Sequence, residues 1–112
     1  MKYMLLIVGG DPKLAQPTEA QMGPMMATFQ NIGTELGSKL VHSNRLRPSS
    51  EAKTVKLDRE GKRRVVDGPF SETKEAVGGY YLIDVASETE ALDWAKKFPP
   101  FFHIEVRPVW EM

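Results

Sequence analysis

Apolar residues along the chain alternate between the period of a strand and the period of a helix. Lys2 to Val8 is apolar at nearly every step, with Tyr3, Leu5 and Ile7 on one side of a strand and Met4, Leu6 and Val8 on the other. A strand apolar on both sides belongs in the middle of a sheet that is covered on both faces. One helix layer covers one face. The other needs a different cover, and a second subunit is the expected one.

Gly9 to Pro17 reads as a loop. Thr18, with Gln21 three residues later, is a capping-box pattern. Met22, Met25, Met26, Phe29, Ile32 and Leu36 then form one apolar stripe at helical spacing, and Gly37 is a fitting stop. Pro24 blurs the start of that helix, because proline is tolerated only in the first turn or at the cost of a kink. The methionines suit core filling more than a ligand surface, although methionine packs adaptably at either.

Lys39 to Arg47 predicts a strand with Leu40, His42, Asn44 and Leu46 on one side. Pro48 to Glu51 is a turn. Ala52 to Asp58 and Lys62 to Val66 flank Arg59-Glu60-Gly61 as a hairpin rich in Lys and Arg. No aromatic residues interleave those charges, so the hairpin reads as a solvated, charge-protected arm rather than an RNA grip. Val77 to Val85 is a second strongly apolar strand, with Tyr80 and Leu82 opposite Tyr81 and Ile83. Ser87 and Glu90 make another capping box, ahead of a helix carrying Ala91, Trp94, Ala95 and Phe98, with Lys96 and Lys97 in its last turn. Pro99-Pro100 stops it. His103 to Val109 is the last strand. Its Ile104 and Val106 are assigned to the helices, and His103, Glu105 and Arg107 to the opposite face.

This order predicts an α+β fold: one mainly antiparallel, ferredoxin-like sheet with two helices on one face. The 112 residues make a single domain, 1–112. Burying the bare sheet face against a symmetry mate predicts a homodimer, with Trp110 as a dimer or rim contact.

Composition narrows the function classes. Fifteen Lys plus Arg balance fifteen Asp plus Glu, and a net charge of +0 weighs against a nucleic-acid partner. No cysteine is present, which removes disulfides, thiolate nucleophiles and Cys-based zinc sites and is compatible with a cytoplasmic protein. The two histidines stand far apart and give no metal-ligand spacing, so neither a metal nor a cofactor is expected. The longest apolar run, Tyr3 to Val8, is far short of the ~20 residues that span a bilayer, and no membrane partner is expected. The N-terminus also lacks a secretory pattern.

The densest chemistry lies in Asp67-Gly68-Pro69-Phe70-Ser71-Glu72-Thr73-Lys74-Glu75. Gly68 before Pro69 makes a stiff corner. Asp67 ends a strand and can accept hydrogen bonds from the turn. Phe70 pins the corner to the core, and Ser71 can cap a short helical turn containing Lys74. Gly78 and Gly79 leave room for a ligand or another strand to approach the backbone. The corner is either purely structural or a rigid rim that holds Asp67 and Lys74 at a pocket.

At these residues the chain resembles a known family. Asp67-Gly68-Pro69-Phe70, Glu72-Thr73-Lys74-Glu75 and Gly78-Gly79-Tyr80-Tyr81-Leu82-Ile83 look like the signature of the DGPF branch of the YCII-related family. The opening Met1 to Ile7 and the closing Ile104 to Val109 are similar to that branch too. The resemblance implies a ferredoxin-like subunit that pairs sheet to sheet as a dimeric α/β barrel. Most members have no assigned activity. One relative in the wider group is a dehydrochlorinase acting on a chlorinated hydroxyquinol, and another recurring association is with extracytoplasmic-function sigma factors. The wider group often carries a His–Asp pair proposed as catalytic. Here the Asp of the central motif can be placed, and no His sits beside it in sequence.

Two function classes follow. One is a small cofactor-independent enzyme of the lyase, isomerase or dehydrochlorinase kind, acting on a small polar or aromatic metabolite. Asp67 is then the acid or base, assisted by His42, His103 or a tyrosine such as Tyr80, with Lys74 or Arg107 holding an anion and Gly68 and Phe70 shaping the site. The other is a small-ligand-binding or accessory protein without turnover, linked to sigma-factor-associated regulation. Each candidate also has a structural role open to it: His42 as a hydrogen-bonded surface side chain, Tyr80 as packing, and Arg107 as one member of a mutually paired row on an edge strand.

Overall fold

The computed structural model describes residues 1–69 and 75–111. Phe70 and Lys74, and the helical turn expected around Ser71, lie outside the described residues.

β1 (Lys2–Gly9) leads through a loop into α1 (Glu19–Leu36), and β2 (Leu40–Arg45) follows after the single turn Gly37–Lys39. A second turn, Ser49–Glu51, opens a hairpin of β3 (Lys53–Leu57) and β4 (Arg63–Asp67). β5 (Ala76–Asp84), α2 (Glu88–Ala95) and β6 (His103–Pro108) complete the described chain. Four strands form one sheet in the order β2-β5-β1-β6, and every neighbouring pair is antiparallel. β1 and β2 therefore run parallel with β5 between them, and β5 and β6 run parallel with β1 between them. This pair of split β-α-β units is compatible with a ferredoxin-like fold. β3 and β4 pair only with each other in a separate two-stranded sheet.

The alternation of β1 sets the layers. Tyr3, Leu5 and Ile7 are buried, while Met4, Leu6 and Val8 are only half-buried. The core joins that first row to Ile83 and Val85, to Ile32 and Leu36 of α1, and to Ala91 and Phe98. Ile104 and Val106 pack against it, so β6 turns the side expected toward the helices. Edge-on contacts of Phe98 with Phe29 and Tyr81 fill the space between helix and sheet, with ring centroids 5.9 and 5.0 Å apart.

Three details differ from expectation. Pro24 lies inside α1, in its second turn, where it leaves the exposed Ala20 carbonyl without its helical donor. The packed stripe of α1 begins at Met25, since Met22 is exposed. α2 stops at Ala95, which leaves Phe98 buried beyond the helix and Lys96 and Lys97 past its end. Lys97 lies 4.3 Å from the Trp94 ring centroid and 3.4 Å from Glu35. The caps follow the sequence: the Thr18 N–H donates to Gln21 Oε1 at 2.9 Å, and the Glu90 N–H donates to Ser87 Oγ at 3.2 Å.

The β3–β4 arm stands off this body. The radius of gyration is 16.0 Å, against about 13 Å for a compact chain of this length. The arm shows Val55, Leu57 and Val65 to solvent. Among the described residues, no helix is long and apolar enough to cross a membrane.

Candidate functional site

The open face of the sheet, turned away from the helices, carries Met4, Leu6 and Val8 in its middle and titratable groups toward both edges. Cross-strand register places Val8 opposite His103, Leu6 opposite Tyr80 and Glu105, and Met4 opposite Leu82 and Arg107. On the other side of β5, Asn44 is opposite Tyr80 and His42 opposite Leu82.

The strongest constellation is His103 with Asp11. Their Nε2 and Oδ2 atoms lie 2.6 Å apart. Asp11 follows Gly10, whose φ of 91° turns the chain at the end of β1. Asp11-Pro12-Lys13-Leu14 is then a β-turn, with the Leu14 N–H donating to the Asp11 carbonyl at 3.1 Å. Asp first and Pro second is the preferred chemistry for that turn. The Lys13 N–H holds the second carboxylate oxygen, Oδ1, at 2.9 Å. His103 is fixed from its own side by Phe102, whose ring packs at 5.7 Å from Phe29 and lies against Gly9.

The electrostatics of the pair are specific. The hydrogen bond from His103, reinforced by the Lys13 N–H, holds the Asp11 carboxyl below the usual carboxylate range. Asp11 is therefore an anion at neutral pH and only accepts hydrogen bonds, so His103 Nε2 carries the proton between them. Nδ1 is left as the basic nitrogen and has no partner among the described residues. The Asp11 side chain is 14% exposed and the imidazole 52%, so the carboxylate is sheltered while the ring reaches solvent. An imidazole held in one orientation by a fixed carboxylate is the arrangement used for general-base work.

The other candidates occupy separate places. Asp67 ends β4 on the arm, is ion-paired with Lys53, and its side chain is 89% exposed. Gly68 has a φ of 92°, which glycine adopts readily. Its N–H donates to the Ala52 carbonyl at 2.8 Å, and its own carbonyl accepts from Thr54 Oγ1 at 2.7 Å. The described part of the corner thus closes the base of the arm. His42, on the edge strand β2, shares a 2.7 Å hydrogen bond with the Tyr80 hydroxyl, which also accepts from Asn44 Nδ2 at 3.3 Å. Arg107 is ion-paired with Glu105 two residues away on the edge strand β6. Asp67, His42 and His103 are therefore not brought together: one lies on the arm, and the two histidines lie on opposite edges of the sheet. Among the described residues, no three His, Cys, Asp or Glu side chains converge as a metal ligand set.

Asp11 is the candidate residue that the sequence alone did not single out. Its local signal was a Gly-Asp-Pro turn, which reads as punctuation. Its meaning depends on β6 lying beside β1, so that the loop leaving Val8 meets the residue opposite Val8, His103. That neighbour is 92 positions away in the chain.

Comparison with known proteins gives the family of the chain. An uncharacterised protein of Rhizobium meliloti (strain 1021) is 46% identical over 88 residues, covering 75% of this chain and 69% of that relative. The model of the YCII-related domain matches residues 1–112. With the whole length matched and a curated relative at that identity, the chain belongs to the YCII-related family.

Proposed function

We propose that this protein is a small, cofactor-independent acid–base enzyme of the lyase or isomerase kind, acting on a small polar or aromatic metabolite. His103 is its general base and Asp11 the residue that orients it. The observation that carries this reading is the 2.6 Å contact between His103 Nε2 and a sheltered carboxylate, with Nδ1 left without a partner among the described residues. A substrate proton moves to Nδ1 and is returned to product or water, while Asp11 holds the ring in place through Nε2. Asp67 has a structural part in this reading, because it is spent on Lys53 at the arm. Its motif, Asp67-Gly68-Pro69-Phe70, supports placing the chain in the DGPF branch of the family.

The working form is a cytoplasmic homodimer paired through the open face. Met4, Leu6, Val8 and Leu82 form a half-buried apolar strip there that the subunit's own helices do not cover. The acid–base pair then stands at the margin of the paired sheets.

A screen of small aromatic, phenolic and acidic metabolites, followed by both thermal shift and consumption, tests the reading. His103→Gln should lower turnover by about a hundredfold or more. Asp11→Asn should lower it as well, with ligand-induced stabilisation retained in both variants. Undiminished turnover in His103→Gln would sink the proposal. A ligand that stabilises the protein and is never consumed would move it to the class of binding or accessory proteins.

A further inference from the structure

A concavity lies on the helix side of the sheet, across from His103. It measures about 840 Å³ and runs between α1 and the ends of β2 and β5. Gly79 forms part of its floor. A Cβ at that position would come 2.9 Å from the Asn44 carbonyl oxygen and 3.6 Å from Ile7 Cδ1. The close approach of β2 therefore excludes any side chain there, and the space that a side chain would take on the helix face stays open. Met26, Phe29, Tyr81 and Phe102 supply apolar and aromatic walls. The Tyr81 hydroxyl is already spent, donating to the Phe29 carbonyl at 2.9 Å.

The charged groups of the described lining have one sign. Among the described residues that line it, no Asp or Glu occurs, and the cations are Arg45 and Arg47. Arg47 is neutralised by a two-nitrogen contact with Glu51, at 3.0 to 3.2 Å. Arg45 is opposite Gly79 in the β2–β5 register, so its side chain leaves from the same face. Among the described residues its side chain meets the Met26 sulfur at 3.8 Å, a weak acceptor, and no carboxylate. The Ser43 hydroxyl, two residues earlier on that face, also has no side-chain partner among the described residues.

From this we infer that the cleft is a binding site for a small organic carboxylate with an aromatic or branched apolar body. The body lies on Phe29, Tyr81 and Phe102 over Gly79. The carboxylate takes the Arg45 fork, which fits two oxygens in one plane. An apolar cleft of this size with a few convergent polar groups is the usual form of a small-molecule site. The site lies across the sheet from His103 and Asp11 and does not depend on their chemistry.

The test uses naphthaleneacetate and its uncharged isostere naphthaleneacetamide, with binding read from backbone amide NMR shifts and from titration. The acid should shift the amides of Gly78, Gly79 and Tyr81, and the amide isostere should bind at least about tenfold more weakly. Arg45→Gln removes the charge at an exposed position without disturbing the core, and it should weaken the acid by about tenfold while leaving the isostere unchanged. Asp11→Asn should bind the acid as wild type does, which separates this site from the acid–base reading. Equal binding of acid and isostere, a full response in Arg45→Gln, or no shift at these amides with the acid at roughly 10 mM would each overturn the proposal.

Discussion

The two faces of the central sheet are built from the same strands and have different tasks. On the helix side, Leu5 and Ile83 are 0% exposed, and aromatic rings fill the space up to α1. On the open side, the residues one step along those strands are only half-buried, and the edges carry Asp11–His103, His42–Tyr80 and Glu105–Arg107. The helix face holds the subunit together through removal of apolar area from water. The open face contributes little to the core of this chain, yet it keeps apolar residues in its middle and titratable groups at its margins. The proposed pairing rests on that composition.

The largest effect expected is on the helix face. Ile83→Ala should cost about 2–5 kcal/mol in chemical denaturation, from lost burial and the cavity left behind. A loss under about 1 kcal/mol would show that the core relaxes around that position. On the open face, Leu6→Glu should leave the fold intact and break association, so that sedimentation gives the 12.6 kDa of one chain where wild type gives twice that mass. A variant that keeps the wild-type mass would contradict pairing through this face.

Smaller effects separate the arm from the dyad. Gly68→Ala forces a residue with a Cβ into a φ of 92° and should cost about 1–2 kcal/mol. Asp67→Asn, at an exposed ion pair, should stay within about 0.5 kcal/mol of wild type. A larger loss would give Asp67 a structural weight that its exposure denies. Asp11 has a lowered pKa in the folded protein. Its stabilisation is therefore present above the ordinary carboxyl value and lost as pH falls through the folded value. Asp11→Asn should melt below wild type at neutral pH, and the gap should begin to narrow as pH falls below about 4. A gap that persists unchanged into acid would mean that the carboxylate is not held by His103 and Lys13.

Most of the architecture was legible in the sequence because alternation and helical spacing report burial directly. The doubly apolar β1, the stripe of α1 and the assignment of Ile104 and Val106 to the helices all follow from that rule. Element ends were less legible: nothing local showed that α2 would stop at Ala95 with Phe98 packing from beyond it. The site was legible only in parts. His103 stands out as a titratable residue on a strand face, but its partner is selected by the order β5-β1-β6, which no local pattern encodes. The conspicuous Asp67 motif drew attention by its turn chemistry, and the described part of that chemistry closes the arm. The paired glycines allowed either a strand or a ligand. Gly79 meets the strand β2, while Gly78 has no atom nearer to an added Cβ than the Ile7 carbonyl at 4.0 Å.

The acid–base reading rests on one carboxylate being ionised because one imidazole donates to it. Carbon-detected NMR titration of the Asp11 carboxyl, in wild type and in His103→Ala, tests that link most directly. The account predicts a midpoint below the ordinary carboxylate range in wild type and an upward move toward that range when the imidazole is removed. A midpoint that is ordinary in wild type, or unmoved in His103→Ala, would contradict it.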